Sequence, residues 1–242
     1  MSCKNIAVIF AGGVGSRMKT FDGTPKQFLM IGNKTILEHT LLNFQNSDYV
    51  DGIVVVMLKD YIKKTQDICA KGGINKVLAI VEGGTTGQES IYHGLKAAKK
   101  YSDDDTVVLI HDGVRPIIDD DLIEKNVLSV RKYGSAISCA PSKETIVNIT
   151  EDGMISNVVD RSKVWLARAP QSFFLKDILT AHEGFFEMGE KNMIDSCTMM
   201  KKAGYQLHVV ETFAQNLKIT TPEDYYVAKG LLAGNSGEYQ HE

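Results

Sequence analysis

A short β-branched run, Ile6-Ala7-Val8-Ile9-Phe10, leads straight into Gly12, Gly13 and Gly15, and this pairing constrains the chain more than any other feature. Five apolar residues without polar alternation suit a strand buried on both faces, as in a parallel sheet. Glycines at the end of such a strand let the backbone turn tightly and bring amide N–H groups against a ligand, and phosphate oxygens are what such amides favour. Arg17 and Lys26, the latter within Pro25-Lys26-Gln27, add two cations within reach of the same anion. The stretch lacks the Gly-Lys-Ser/Thr end of a P-loop, and its spacing does not fit G-x-G-x-x-G. Alone, it is either a phosphate loop of another kind or a glycine-rich turn whose basic residues face water.

The same unit recurs along the chain. Residues 35–44 have helical spacing with Thr35 as cap; residues 52–57 are a second buried strand; residues 59–71 read as a helix ended by Gly72-Gly73. A third strand over 76–81 runs into Glu82-Gly83-Gly84-Thr85-Thr86-Gly87 and then a helix through Ser90, Leu95 and Ala98. A fourth over 105–110 ends at His111-Asp112-Gly113-Val114-Arg115-Pro116, and a helix over 119–132 and a strand over 135–140 follow. This βαβα alternation predicts an α/β fold: a Rossmann-like, mostly parallel sheet with helices on both faces. Ligands in such sheets bind outside the carboxyl ends of the strands, where all three chemically suggestive segments fall.

Over 142–164 the pattern changes to a hairpin around Glu151-Asp152-Gly153. It has no local core, so it reads as a protruding arm that packs on a second copy of the chain, or else as a hairpin lying on its own domain. Residues 169–173 read as a turn leading into a helix around 175–185. A helix over 195–203, a strand over 206–210 and a last helix capped by Thr221 with Pro222 at its first position complete the chain. No repeat or linker interrupts it, so one domain plus an arm is the economical count.

Composition excludes several function classes. The formal net charge of −3 argues against a general nucleic-acid binder. No apolar stretch approaches the ~18 residues of a membrane span, and no signal-peptide core is visible, so the cytoplasm is expected. Cys3, Cys69, Cys139 and Cys197 are widely spaced and read as free thiols.

Taken together, AGGVGSRM (11–18), PKQF (25–28), the Gly83-Gly84 turn with Ser90, HDGVRP (111–116), ETIV (144–147), DR (160–161), APQSF (169–173) and NLKITTPED (216–224) resemble one enzyme family. It is the cytidylyltransferases that couple CTP to a polyol phosphate, with branches acting on methylerythritol 4-phosphate and ribitol 5-phosphate. The resemblance spans residue 5 to about residue 230. It implies a Mg²⁺-dependent homodimer that exchanges its arms and makes a CDP-alditol and pyrophosphate. On this resemblance Arg17, Lys26 and Lys218 are catalytic, with Lys218 on the α-phosphate. Ala11, Gly12, Gly13 and Gly15 surround the triphosphate; Gly83, Gly84 and Ser90 face cytosine and ribose. Asp112 lies near the nucleotide and binds the metal, and Arg115, Thr145 and Arg161 bind the acceptor. Nucleotidyl transfer needs cations set in advance rather than a strong base, which agrees with this set.

Two departures stand out. Ala169-Pro170-Gln171 replaces a Thr-Pro-Gln triplet and is preceded by Arg168, which reads as a solvated charge rather than a substrate-phosphate ligand. The segment 194–197 lacks the acidic character of the methylerythritol branch, which favours a different polyol, ribitol 5-phosphate, serving a cell-surface or capsular polymer. His111 reads as a packing or hydrogen-bonding residue and His39, His93, His182 and His208 as structural. Cys197 is not a nucleophile, Asp103–Asp105 form a solvated loop, and Asp119–Asp121 cap a helix. Two other classes stay in view: an NAD(P)-dependent oxidoreductase, disfavoured because the second strand ends Val56-Met57-Leu58-Lys59 without an acidic residue, and a nucleotide-binding regulator without turnover.

Overall fold

The computed structural model describes residues 3–13 and 23–234. Its frame is a seven-stranded sheet built on β1 (Cys3–Phe10). Two short strands, β2 (Met30–Ile31) and β3 (Lys34–Thr35), precede α1 (Ile36–Asn46), whose cap is Thr35: its hydroxyl accepts from the Glu38 amide at 3.1 Å. Then come β4 (Gly52–Met57), α2 (Ile62–Lys71), β5 (Val77–Glu82), α3 (Gly87–Ala98), β6 (Ser102–Asp112), α4 (Asp120–Tyr133) and β7 (Ser135–Pro141). The helix expected over 59–71 opens with a 3₁₀ turn, Lys59–Tyr61. Asp103–Asp105 are not a loop but the exposed start of β6, far from its carboxyl end.

Spatial order is β11-β7-β10-β6-β1-β4-β5, where β10 is Trp165–Phe174 and β11 is Val209–Glu211. β1 pairs in parallel with both β4 and β6. The chain therefore builds outward from β1 to β4 and β5, then returns to place β6 on the other side of β1. That reversal opens a crevice at the carboxyl ends of β1 and β6, where Phe10 lies opposite Asp112.

Alternate residues of the central strands feed two cores. Ala7, Ile9, Val55, Met57, Val107 and Leu109 join α1, α2 and α4 on one face; Ile6, Val8, Val54, Val56, Val108 and Ile110 join α3 and, with them, α5 (Leu175–Glu187) and α6 (Ser196–Lys202) on the other. Burial on both faces is why these strands read as unbroken apolar runs. Gly94 lets α3 sit close: a Cβ there would lie 2.5 Å from Val8 Cγ1. Gly134, at φ 82°, ends α4 in the left-handed conformation that favours glycine.

A second expectation is overturned. Residues 169–173 are not a turn but half of β10, which runs antiparallel between β6 and β7. Its register shifts between Ala167 and Gln171, so Pro170 lies in an irregularity where no ladder donor is required of it. The hairpin is present as β8 (Val147–Ile149) and β9 (Ile155–Val158), every residue of which is exposed. It projects rather than lying on its own domain. The last helix, α7 (Pro222–Gly234), begins where Thr221 and Asp224 exchange bonds: the Thr221 amide donates to Asp224 Oδ2 at 2.8 Å and the Asp224 amide to Thr221 Oγ1 at 3.3 Å.

Candidate active site

Two cavities meet at the crevice. The glycine-loop cavity, ≈ 500 Å³, is lined by Gly12, Gly13, Lys26, Gly84, Ser90 and Thr220, among others. The β10-side cavity, ≈ 290 Å³, is lined by Arg115, Arg168, Gln171, Asp195 and Ser196, among others. Phe10, Gly87, Asp112 and Lys218 belong to both walls.

Distant segments are stitched together to make this junction. The Ala11 amide donates to Val56 O at 2.8 Å, and the buried Gln27 donates from Nε2 to Ala11 O at 2.7 Å, which fixes the start of the glycine loop. The Ile219 amide donates to Val114 O at 2.9 Å, so residues 216–220 run beside the 111–116 loop. Lys26 Nζ donates to Ile219 O at 2.8 Å, tying the glycine segment to the same strip. Asn216, fully buried, donates to Ala169 O at 2.6 Å while its own carbonyl accepts from Arg115 Nη1 at 2.8 Å. In the 83–87 turn the Gly84 amide donates to Ser90 Oγ at 3.1 Å, and Ser90 Oγ donates to Thr86 O at 2.9 Å. A Cβ on Gly84 would fall 2.3 Å from Glu89 Cβ, so the turn needs glycine there.

Asp112 is the electrostatic centre. Lys218 Nζ lies 2.5 Å from its Oδ1, and Arg115 Nε 3.1 Å from its Oδ2; the carboxylate and Arg115 are both buried. Burial alone would push the carboxyl group up, but Lys218 and then Arg115 outweigh it and hold it down at about 2. His111 is pushed the other way by burial, down to about 4, with Nε2 3.0 Å from Arg115 O and its ring edge-on to Phe44. It packs and hydrogen-bonds. Cys197 is half-buried and its thiol is raised by burial, the opposite of an activated nucleophile. Cys69 and Cys139 are buried and unpaired.

The family model described as IspD, 2-C-methyl-D-erythritol 4-phosphate cytidylyltransferase, matches residues 5–233. The chain belongs to this family. A protein of Streptococcus agalactiae serotype III, named ribitol-5-phosphate cytidylyltransferase, is 45% identical over 234 residues, 97% of this chain and 98% of that protein. One from Clostridium acetobutylicum, named 2-C-methyl-D-erythritol 4-phosphate cytidylyltransferase, is 39% identical over 236 residues, 96% of this chain and 99% of that one. The crystal structure of 4-diphosphocytidyl-2C-methyl-D-erythritol synthase from Anaerococcus prevotii superposes with a TM-score of 0.82 at 29% identity, covering 95% of this chain and 96% of that one. The oxidoreductase reading is thereby removed, and the protein is a cytidylyltransferase.

Within this cytidylyltransferase the expected site residues distribute unevenly. Lys26, Lys218, Ala11, Gly12, Gly13, Gly84, Ser90 and Asp112 gather on the glycine-loop cavity. Gly83 lies just beyond, on a neighbouring open cleft with Gly12 and Gly84. The Ser90 hydroxyl is committed to holding the 83–87 turn. Arg17 and Gly15 lie outside the described residues. Arg115 lines the β10-side cavity but is clamped by Asp112 and Asn216. Thr145 and Arg161 sit on the arm and line neither cavity; Arg161 Nη1 donates to Lys143 O at 3.0 Å. Arg168 corrects its reading as a solvated charge: it is half-buried in the β10-side wall. Gln27, on the wall of the glycine-loop cavity, and Asn216 brace the site through hydrogen bonds to partners distant along the chain, which no local sequence signal announces. Among the described residues no group of three or more His, Cys, Asp or Glu side chains is arranged to hold a metal ion by itself, and no helix is long and apolar enough to cross a membrane.

Proposed function

We propose that this cytidylyltransferase transfers CMP from CTP to D-ribitol 5-phosphate, giving CDP-ribitol and pyrophosphate. The observation that carries the acceptor choice is the 45% identity, over nearly all of both chains, to a relative named for that activity. The geometry supports the reaction class: two adjoining cavities share a wall of Asp112 and Lys218, which suits two anions brought face to face. The triphosphate takes the glycine-loop cavity, with the amides of residues 11–13 and Lys26 around it and Gly84 and Ser90 toward the nucleoside; Gly83 follows on the adjoining cleft, and Gly15 and Arg17 are assigned to the triphosphate by the family resemblance alone. Lys218, at the junction of the two cavities, is the cation to stabilise the charge that grows on the oxygens of the α-phosphate.

The acceptor phosphate is already ionised at neutral pH, so it attacks without a general base. The phosphorus–oxygen bond to pyrophosphate breaks as the new one forms, and pyrophosphate leaves as an anion. What the protein must supply is approach and charge stabilisation, and preorganised cations provide both. Arg115 and Lys218 keep Asp112 ionised, and Asp112 in turn keeps Lys218 aimed along the junction.

A single carboxylate at the phosphate junction fits Mg²⁺, a hard cation that brings phosphate oxygens and waters as its other ligands, and does not fit an all-protein cage. Asp112 is the residue to hold it; when bound, the ion neutralises charge on the nucleotide phosphates. The arm supports a homodimer: Ile149, Met154, Ile155 and Val158 are all exposed on it, more apolar surface than a lone hairpin keeps in water. Thr145 and Arg161 reach an acceptor from such an arm, in the partner's site. A cytoplasmic enzyme supplying a cell-surface polymer is the setting we infer.

Purified protein given CTP and Mg²⁺ with ribitol 5-phosphate or methylerythritol 4-phosphate tests the proposal by pyrophosphate release. We expect turnover with ribitol 5-phosphate at a kcat/KM at least ten-fold higher. Preference for methylerythritol 4-phosphate, the activity named in the family model, overturns the acceptor assignment.

A further inference from the structure

Arg168 lies in β10, on the wall of the β10-side cavity beside Arg115, and it is the charged group there whose partner is missing. The cavity holds three cations, Arg115, Arg168 and Lys218, against two carboxylates, Asp112 and Asp195. Asp112 is shared by Lys218 and Arg115. Asp195 is committed elsewhere: Oδ1 caps α6 by accepting from the Thr198 amide at 2.8 Å, and Oδ2 accepts from Gln171 Nε2 at 3.0 Å. Among the described residues no ion pair reaches the Arg168 guanidinium, and its buried Nε has no hydrogen-bond partner. A buried donor left unpaired is costly, and a ligand that completes it is one of the reasons a native protein keeps one.

Backbone geometry aims this residue. Its own carbonyl and the next one are engaged by the site itself: Gln171 Nε2 donates to Arg168 O at 3.3 Å and Asn216 Nδ2 to Ala169 O at 2.6 Å. β10 is thereby locked to the segment that carries Lys218. The surroundings also disfavour a bare guanidinium: burial and the charge of Arg115 both work against it, with Asp224 only a partial offset. A planar fork with donors to spare, among cations and open to a cavity, matches a tetrahedral dianion.

We propose that Arg168 is an acceptor-binding residue that receives the phosphate of the alditol monophosphate in the β10-side cavity and presents it across the Asp112–Lys218 wall to the α-phosphorus of CTP. This rests on the cytidylyltransferase reading of the two cavities and adds to it a residue from β10, within the protein's own chain rather than the arm.

Arg168→Gln and Arg168→Lys test it, with circular dichroism to check the fold. For the Gln variant we expect the KM for ribitol 5-phosphate to rise at least ten-fold while the KM for CTP stays within two-fold, and Lys, which keeps the charge but loses the fork, to fall between. Inorganic phosphate should compete with the acceptor in the parent protein and lose at least most of that effect in the Gln variant. Calorimetric binding of ribitol 5-phosphate and of methylerythritol 4-phosphate, without turnover, separates this inference from the acceptor assignment. If only methylerythritol 4-phosphate binds, the ribitol reading fails and Arg168 is judged on that ligand. Equal changes in both KM values, an unchanged acceptor KM, or a parent protein that binds neither alditol phosphate overturns the role of Arg168.

Discussion

Asp112 and Lys218 form one ion pair but differ in burial, and that difference separates their two kinds of importance. The carboxylate is 7% exposed and also holds Arg115; the ammonium side chain is 40% exposed. Removing the charge at Asp112 leaves a buried guanidinium without its counter-ion, a change that typically costs about 3–5 kcal/mol. Removing Lys218 breaks a partly solvated pair, worth on the order of 1 kcal/mol or less once solvent screening is allowed for. Both remove charge from the junction, where one preorganised donor is worth ~10²–10³ in rate. We therefore expect Asp112→Asn to lower both turnover and thermal midpoint, and Lys218→Ala to cut turnover by ~100-fold or more with the midpoint nearly unchanged. Assays paired with thermal melts check this; a Lys218→Ala protein that melts as early as Asp112→Asn contradicts the division. These two residues were legible in the sequence because their motifs carry them. Arg168 was not, because a lone arginine between two alanines looks the same whether it faces water or a cavity. Only the placement of β10 between β6 and β7 decides that.

At the scale of elements, the alternating part of the chain was readable and the strand that broke the alternation was not. Caps at Thr35 and Asp119 accept the expected amides, from Glu38 and Leu122, and Asp195 caps α6 by accepting from Thr198. β10 escaped because it contains Pro170, and a proline normally argues against a central strand. Its antiparallel direction also follows from no local signal: it arises because the arm returns the chain to the sheet from the carboxyl end of β7. The arm itself was visible as a hairpin, while its projection away from the sheet was one of two open readings. β8 and β9 bury none of their residues, so they add little to the stability of the chain that carries them. Replacing residues 147–158 with an Asn-Gly turn should then leave the thermal midpoint of a lone chain within a few degrees, while the proposed homodimer, if the parent protein sediments as one, should give way to monomer. A shortened protein that still sediments as a dimer would place the interface elsewhere.

For the whole molecule, the two-sided core has a consequence for acid stability through His182. This side chain, on α5 at the inner wall of the β10-side cavity, has no exposed surface, is stacked on Tyr92 of α3 with ring centroids 5.7 Å apart, and neither ring nitrogen has a partner among the described residues. Burial lowers it to about 4, so the folded state keeps the imidazole neutral over a range in which the unfolded chain, near its ordinary value of about 6.5, takes up a proton. Between those values the unfolded state binds more protons, so stability rises with pH there and falls on acidification. Above about 6.5 both states are neutral and the term vanishes. At pH 5 it amounts to about 2 kcal/mol, from about 1.4 kcal/mol per pH unit, which is a sizeable part of a typical 5–15 kcal/mol. Asp112 does not confuse this window: its depressed value of about 2 makes its contribution complete above the ordinary carboxylate range and lost only as pH falls toward 2. His111, also held down to about 4 by burial, adds a term of the same sign, so we expect the urea midpoint to drop between pH 7.5 and pH 5, and His182→Phe, which keeps an aromatic ring between Tyr92 and Phe186, to remove about half of the drop that the two imidazoles cause. Equal drops in the two proteins would mean that the imidazole is reached by water or by a partner that keeps its proton affinity ordinary, and the core on the α3–α5 face would then be less closed than the packing around Tyr92 requires.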